Sequence, residues 1–216
     1  MEHMGEKSTE MMKETRRQTA QTPEGGNPPK NNLRQSAKKG VAVIDGKTIE
    51  FVEKSLLGNK IKIRLPQNFK KMSPETAALK YPFQRRPDLI YSNESFSVNI
   101  TFKHSQNPLK ETDIDIFKDA MIQILKKTHP TAPWLEDGVK EINGKKIGCV
   151  DSLYPFWDIK IYSLMFFTEL ENKALLCSFN CTEEEMADWR PVAVREIMES
   201  LIIGPENLED LEGVSP

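Results

Sequence analysis

The stretch from Ile159 to Cys181, IKIYSLMFFTELENKALLCSFNC, constrains the fold more than any other part of the chain. Two β-rich apolar runs are joined by Glu171-Asn172-Lys173, the grammar of a β-hairpin. In the first run Ile159, Ile161, Met165 and Phe167 fall on one side and Tyr162, Leu164 and Phe166 on the other. Successive strand residues point to opposite faces, so a ribbon that is apolar on both sides needs cover on both and belongs at the middle of a sheet.

The rest of the chain supplies partners for that ribbon. Lys60 to Leu65 alternates strictly, with Ile61, Ile63 and Leu65 on one face, and pairs by sequence with Thr48 to Glu53 across Leu57-Gly58-Asn59. Ser73-Pro74-Glu75 offers an N-cap hydroxyl, a proline preset for the first turn and an acid near the positive helix end, which predicts a short helix over 74–80. Asp88 to Tyr91 and Phe96 to Lys103 read as a second hairpin, with Phe96, Val98, Ile100 and Phe102 on its apolar face and Ser97, Asn99 and Thr101 opposite.

Ile114, Phe117, Met121, Ile124 and Leu125 recur at helical spacing and predict an amphipathic helix over 113–128, with Thr112 and Asp115 as a capping pair. Asn143-Gly144 joins another pair of strands. Near the C-terminus Pro191 predicts a short turn followed by a helix from Asp188, with Trp189, Ala193, Ile197 and Leu201 buried. Tight hairpins and no parallel crossover make this an α+β chain: an antiparallel β-sheet built from hairpins and packed by two amphipathic helices.

Domain organisation follows composition. In 216 residues, 38% hydrophobic and 29% charged, there is material for one self-sufficient core. Residues 1–40 are polar, with eight Lys/Arg against five acids and QTPEGGNPPKNN in the middle, and read as a disordered leader. Residues 41–203 form the domain. Residues 204–216 carry Glu206, Glu209, Asp210 and Glu212 without a basic residue and read as a flexible acidic tail. This spread of charge lacks the concentrated basic face of a nucleic-acid binder. No apolar run approaches membrane-spanning length, and the first residues show no apolar export core, so the expectation is a cytoplasmic protein without stable membrane insertion.

The phrases IKIRLPQNFKKMSPETAALKYPFQRRPDLIYSNESFSVNITFKH and LEDGVKEINGKKIG, set in this order of elements, resemble the PsbP-like superfamily, which includes the bacterial DcrB-like domains. The likeness runs over about residues 45–203 and implies a PsbP-like α/β/α sandwich. Members of that superfamily are mostly non-enzymatic: extrinsic photosystem subunits, a Ran-binding protein, and bacterial chaperones that escort type VI secretion effectors by binding their membrane helices. The chain departs from the photosynthetic and periplasmic members in lacking an export signal, so their roles do not carry over.

Chemistry is sparse. No GxSxG, HExxH or glycine-rich phosphate loop occurs, and His3, His104 and His129 are scattered away from Cys149, Cys177 and Cys181. Cys177 and Cys181, four apart on one strand, would lie roughly 13 Å apart, too far for a disulfide. No catalytic residue, metal site or cofactor is expected.

The candidate recognition residues are Tyr81, Phe83, Arg85 and Arg86 on a proline-bounded loop, with Trp134 and Trp157 near other prolines. Two guanidiniums on a stiff loop suit a carboxylate or phosphate of a partner, although pairing with acids of the same domain, such as Asp88 or Glu94, is the commoner outcome. Loop tryptophans seal the ends of a core or line a partner groove. The expectation is a non-enzymatic cytoplasmic protein-binding or adaptor domain, such as a chaperone for a secreted or membrane-inserting client, with an unidentified protein partner. The alternative is a small-ligand-binding domain or enzyme with a pocket between helices and sheet.

Overall fold

The computed structural model describes residues 40–82 and 86–204. The leader and the tail, Gly40 and Gly204 aside, lie outside the described residues, as do Phe83 and Arg85. In chain order the elements are β1 (Val41–Ile44), β2 (Lys47–Leu56), β3 (Ile61–Pro66), β4 (Lys70–Lys71), α1 (Pro74–Lys80), β5 (Leu89–Ser92) and β6 (Asn99–Pro108). They continue with α2 (Ile114–Thr128), β7 (Trp134–Ile142), β8 (Lys145–Phe156), β9 (Ile159–Leu170), β10 (Lys173–Thr182), α3 (Met186–Val192) and β11 (Ile202–Ile203).

The strands form two antiparallel sheets. A four-stranded sheet has the order β1-β2-β3-β11 and a seven-stranded sheet the order β4-β5-β6-β10-β9-β8-β7. The α+β antiparallel class read from the sequence stands, but the strands divide between two sheets where one was expected. β9 and β10 lie inside the larger sheet, paired with each other and flanked by β8 and β6, as their two-sided apolarity requires.

One face of the large sheet packs on the small sheet and the C-terminal helical segment. Ile61, Ile63 and Leu65 of β3 join Val98, Ile100, Phe102, Tyr162, Phe166, Cys177, Phe179, Trp189 and Ile197 in one buried cluster. The Trp189 ring centroid lies 5.8 Å from Phe69 and 5.5 Å from Phe179. The opposite face is covered by α2, whose Phe117 meets Phe167 edge-on at 5.1 Å, and by α1, whose Ala77 packs with Met72, Ile90, Tyr81 and Phe96.

Several local readings need correction. Phe96 turns into the left-handed region at φ 57° and joins the α1 cluster, so it does not continue the face of Val98, Ile100 and Phe102. Ile124 points to solvent and Ile122 takes its place inside. Thr112 donates to the carboxylate of Asp113 and caps nothing, because a 3-10 turn over Glu111–Asp113 precedes α2. Pro191 sits inside α3, which begins at Met186 and passes into a π-helical turn over Ala193–Ile197. Trp134 opens β7 and is not a loop residue.

No helix among the described residues is long and apolar enough to cross a membrane.

Candidate binding cleft

The face beneath α1 and α2 is not apolar throughout. Register places Ser92, Asn99, Asn180, Ser163, Ser152 and Trp134 opposite one another in a single row across β5, β6, β10, β9, β8 and β7. The neighbouring row on the same face carries Thr101, Ser178, Met165 and Val150. The next has Lys103 at its β6 end and is apolar across β10, β9 and β8, with Leu176, Phe167 and Gly148, and its Phe167 and Leu176 lie under the N-terminal half of α2.

Near the polar rows α2 ends. Thr128 donates its hydroxyl to the carbonyls of Ile124 and Leu125 at 3.0 and 3.1 Å, His129 N–H closes the helix on Leu125, and Pro130 cannot extend it. A short loop then returns to the sheet, tied down by Leu153 N–H donating to the Pro133 carbonyl at 3.0 Å.

Between these parts lies a cleft of about 250 Å³. Its floor is Thr101, Ser152, Ser163, Ser178 and Asn180, with Met165 and Val150 beside them; Leu125 and Ala132 close it from above, and Tyr81, His129, Trp134 and Tyr154 surround it. His129 stacks on Tyr154 at 5.0 Å and 29°, and the Lys126 ammonium sits 5.7 Å from the Trp134 ring. Burial pushes the Tyr154 phenol up to about 12 and raises that of Tyr81, so both stay protonated donors at neutral pH.

The floor is polar yet poorly bonded within the protein. Ser152 and Ser163 are each only 8% exposed. The Ser163 and Ser178 hydroxyls are 3.4 Å apart, Thr101 reaches the Ser178 carbonyl at 3.5 Å, and Asn180 Nδ2 reaches Ser178 Oγ at 3.5 Å. These distances lie beyond the usual range for a good hydrogen bond. The Ser152 hydroxyl has no side-chain or backbone partner among the described residues.

At the end of the same row Lys80 leaves the C-terminus of α1 and donates its ammonium to the Phe96 carbonyl and to Asn99 Oδ1. Asn99 is 2% exposed. Burial pushes the Lys80 amine down to about 7, against a weaker upward pull from Glu185, which is itself held by Ser97 and Thr182.

Of the residues singled out from sequence, Tyr81 and Trp134 meet at this cleft. Arg86 steadies it from outside, its Nε donating to the Tyr81 carbonyl at 2.8 Å. Trp157 is 53% exposed at the tight turn between β8 and β9 and does not line the cleft. Phe83 and Arg85 lie outside the described residues. Sequence reasoning misses the floor residues: alternation sets Asn99 and Thr101 opposite the apolar side of their strand and says no more of them, and the serines sit inside apolar runs. The signal was present in Ser163, which interrupts the Ile161, Met165, Phe167 face, and in Ser178 and Asn180, which occupy the matching face of the paired strand. Among the described residues no group of three or more His, Cys, Asp or Glu is placed to hold a metal ion.

On the other face Asp151 is buried, accepting from Arg190 Nε at 2.7 Å and from the Tyr162 hydroxyl at 3.2 Å. This pairing fixes α3 to the sheet.

No family model and no curated protein sequence matches the chain. Solved structures do. A cyanobacterial PsbP protein (CyanoP) from Synechocystis sp. PCC 6803 superposes with a TM-score of 0.54 at 10% identity, over 82% of this chain and 99% of that one. The fold is PsbP-like. Beyond it, a Pseudomonas aeruginosa protein of unknown function, described as a putative regulator, aligns over 72% of this chain and 98% of its own at 13% identity, with a TM-score of 0.43. Mycobacterium tuberculosis LpqN, described as involved in cell envelope biogenesis, aligns over 73% and 92% at 11% identity and a TM-score of 0.38. At these identities the likeness concerns the PsbP-like fold alone.

Proposed function

We propose that this chain is a non-enzymatic binding domain that holds its ligand in the cleft between α2 and the seven-stranded sheet. The observation that carries the reading is the strip of buried and half-buried hydroxyl and amide groups whose hydrogen bonds among the described residues are long or missing. Buried polar groups are almost always satisfied, and groups that the protein leaves under-bonded in a concave site are available to a ligand.

The same residues argue for binding over turnover. A nucleophilic serine needs a base within about 2.6–3.2 Å and a third group to orient that base. His129 is engaged by its stack on Tyr154, and among the described residues no carboxylate lines the cleft to hold it.

The test is to fill the cleft. Native mass spectrometry of the wild-type chain and of Ser178→Trp should find a small ligand on the first and none on the second, with circular dichroism confirming that both fold. Equal retention by the two proteins overturns the reading.

A second reading, a cytoplasmic adaptor or chaperone for a protein segment, is favoured by the outer side of α2, where Ile116 is 72% and Ile124 55% exposed. It predicts client loss on Ile116→Ser/Ile124→Ser and no effect of Ser178→Trp.

A further inference from the structure

Resting on the reading of the cleft as the binding site, we propose that its ligand is an uncharged planar heteroaromatic ring with donors and acceptors along one edge, the chemistry of a nucleobase.

Charge is decided first. Among the described residues lining the cleft there is no Lys, Arg, Asp or Glu. A charged ligand there would lose hydration without gaining a counter-ion, which costs far more than burying a neutral polar group. Size comes next. A cleft of about 250 Å³ has the room of about eight waters at about 30 Å³ each, which suits one or two fused rings.

Shape follows from the walls. Tyr81, His129, Trp134 and Tyr154 are all ring systems, and the near-parallel stack of His129 on Tyr154 presents flat π surface. Offset stacking on such surface favours a planar partner over a puckered one.

The polar edge follows from the floor. Each serine or threonine hydroxyl both donates and accepts, and the Asn180 amide does the same with two atoms. Ser152, Ser163 and Asn180 stand side by side on adjacent strands, about 4.8 Å apart from one to the next. A ring edge carrying alternating N–H and C=O or ring-nitrogen groups spans such a line and replaces the long internal contacts with normal ones. A purely hydrocarbon ring would bury the hydroxyls unsatisfied.

Isothermal titration of the full chain with adenine and uracil, beside glucose, naphthalene sulfonamide and adenosine monophosphate, tests this. Adenine or uracil should bind one to one and raise Tm. The monophosphate should bind about tenfold more weakly than adenine, and Ser163→Ala/Ser178→Ala should weaken the base about tenfold, as expected for two hydrogen bonds of ordinary strength.

Glucose binding as tightly as either base, the monophosphate binding more tightly than adenine, or unchanged affinity in the double variant overturns the proposal. If neither base binds while Ser178→Trp still strips a co-purified ligand, the ligand class is wrong and the cleft reading survives. If Ser178→Trp strips nothing and neither base binds, both fall.

Discussion

The two faces of the seven-stranded sheet are built on different rules. Toward the small sheet, every inward-pointing position from Val98 to Phe102, from Tyr162 to Phe166 and from Cys177 to Cys181 is apolar and buried. Two carboxylates are admitted on that side: Asp151 takes both of its bonds on Oδ2 and leaves Oδ1 without a partner among the described residues, whereas Glu196 is engaged on both oxygens. Glu196, 1% exposed, accepts from Gly40 N–H at 3.0 Å, from Arg195 Nε at 2.8 Å, and pairs with Arg64 at 3.3 Å. Toward α1 and α2 the face begins apolar, under Phe117 and Met121, and ends in hydroxyls whose contacts among the described residues are long. A sealed face of this kind holds the fold together by burial, while the other gives up burial and keeps surface available for recognition. The same strands serve both, because alternate residues look in opposite directions.

The largest effect that tests this division is on two neighbours of one strand. Phe179 is fully buried between Tyr162 and Trp189, and Phe179→Ala should lower unfolding free energy by about 3–5 kcal/mol in urea titrations. Ser178, one residue away and facing the cleft, should tolerate Ser178→Ala within about 0.5 kcal/mol. Similar losses at both positions would show that the faces do not differ.

Next is the closed end of the α2 face. A Cβ on Gly148 would lie 2.3 Å from Phe167 Cε2, and that ring is wedged against Phe117. Gly148→Ala should therefore cost about 1–3 kcal/mol through overpacking. Wild-type stability in this variant would mean that Phe167 has room to move, and that the packed and open parts of this face grade into each other.

How much of this division was legible in the sequence depends on the physics behind each position. Ile61, Ile63 and Leu65 were plain because strict alternation has one interpretation, and the ribbon at 159–181 was plain because two-sided apolarity admits only a central strand. Ser73 and Pro74 marked α1 because capping is local. Asn99, Thr101, Ser163 and Ser178 were not legible. A polar residue opposite an apolar one on a strand normally means solvent, and only the register across several strands reveals that these line up under a helix. Ile124 was misplaced for a related reason: helical periodicity gives two adjacent stripes, and the choice between Ile122 and Ile124 is made by what the helix packs on. Tyr81 and Trp134, 53 positions apart in the numbering, came together through β-pairing that no local pattern encodes.

The smallest effect concerns Lys80, where the polar row meets α1. Its amine titrates at about 7 in the folded chain because burial disfavours the ammonium, against about 10.5 when unfolded. Below pH 7 both states carry the proton and the folded state bears the full cost of holding a charge among the Asn99 amide and the Phe96 carbonyl. Between pH 7 and 10.5 the unfolded chain holds a proton that the folded chain has released, so stability must rise with pH across that window and level off above it. Partial exposure of the side chain reduces the gain to about 1–2 kcal/mol by pH 9.5. Lys80→Met should remove the rise while leaving stability at pH 6 equal to or above wild type, read from urea midpoints at pH 6, 7.5 and 9.5. A wild-type midpoint that falls over that range, or a Lys80→Met midpoint that rises as steeply, would place the amine in water and shorten the polar row to the cleft itself. A rise that the substitution abolishes would extend the polar row as far as α1, making its buried end sensitive to pH near neutrality while the sealed face beyond the sheet is not.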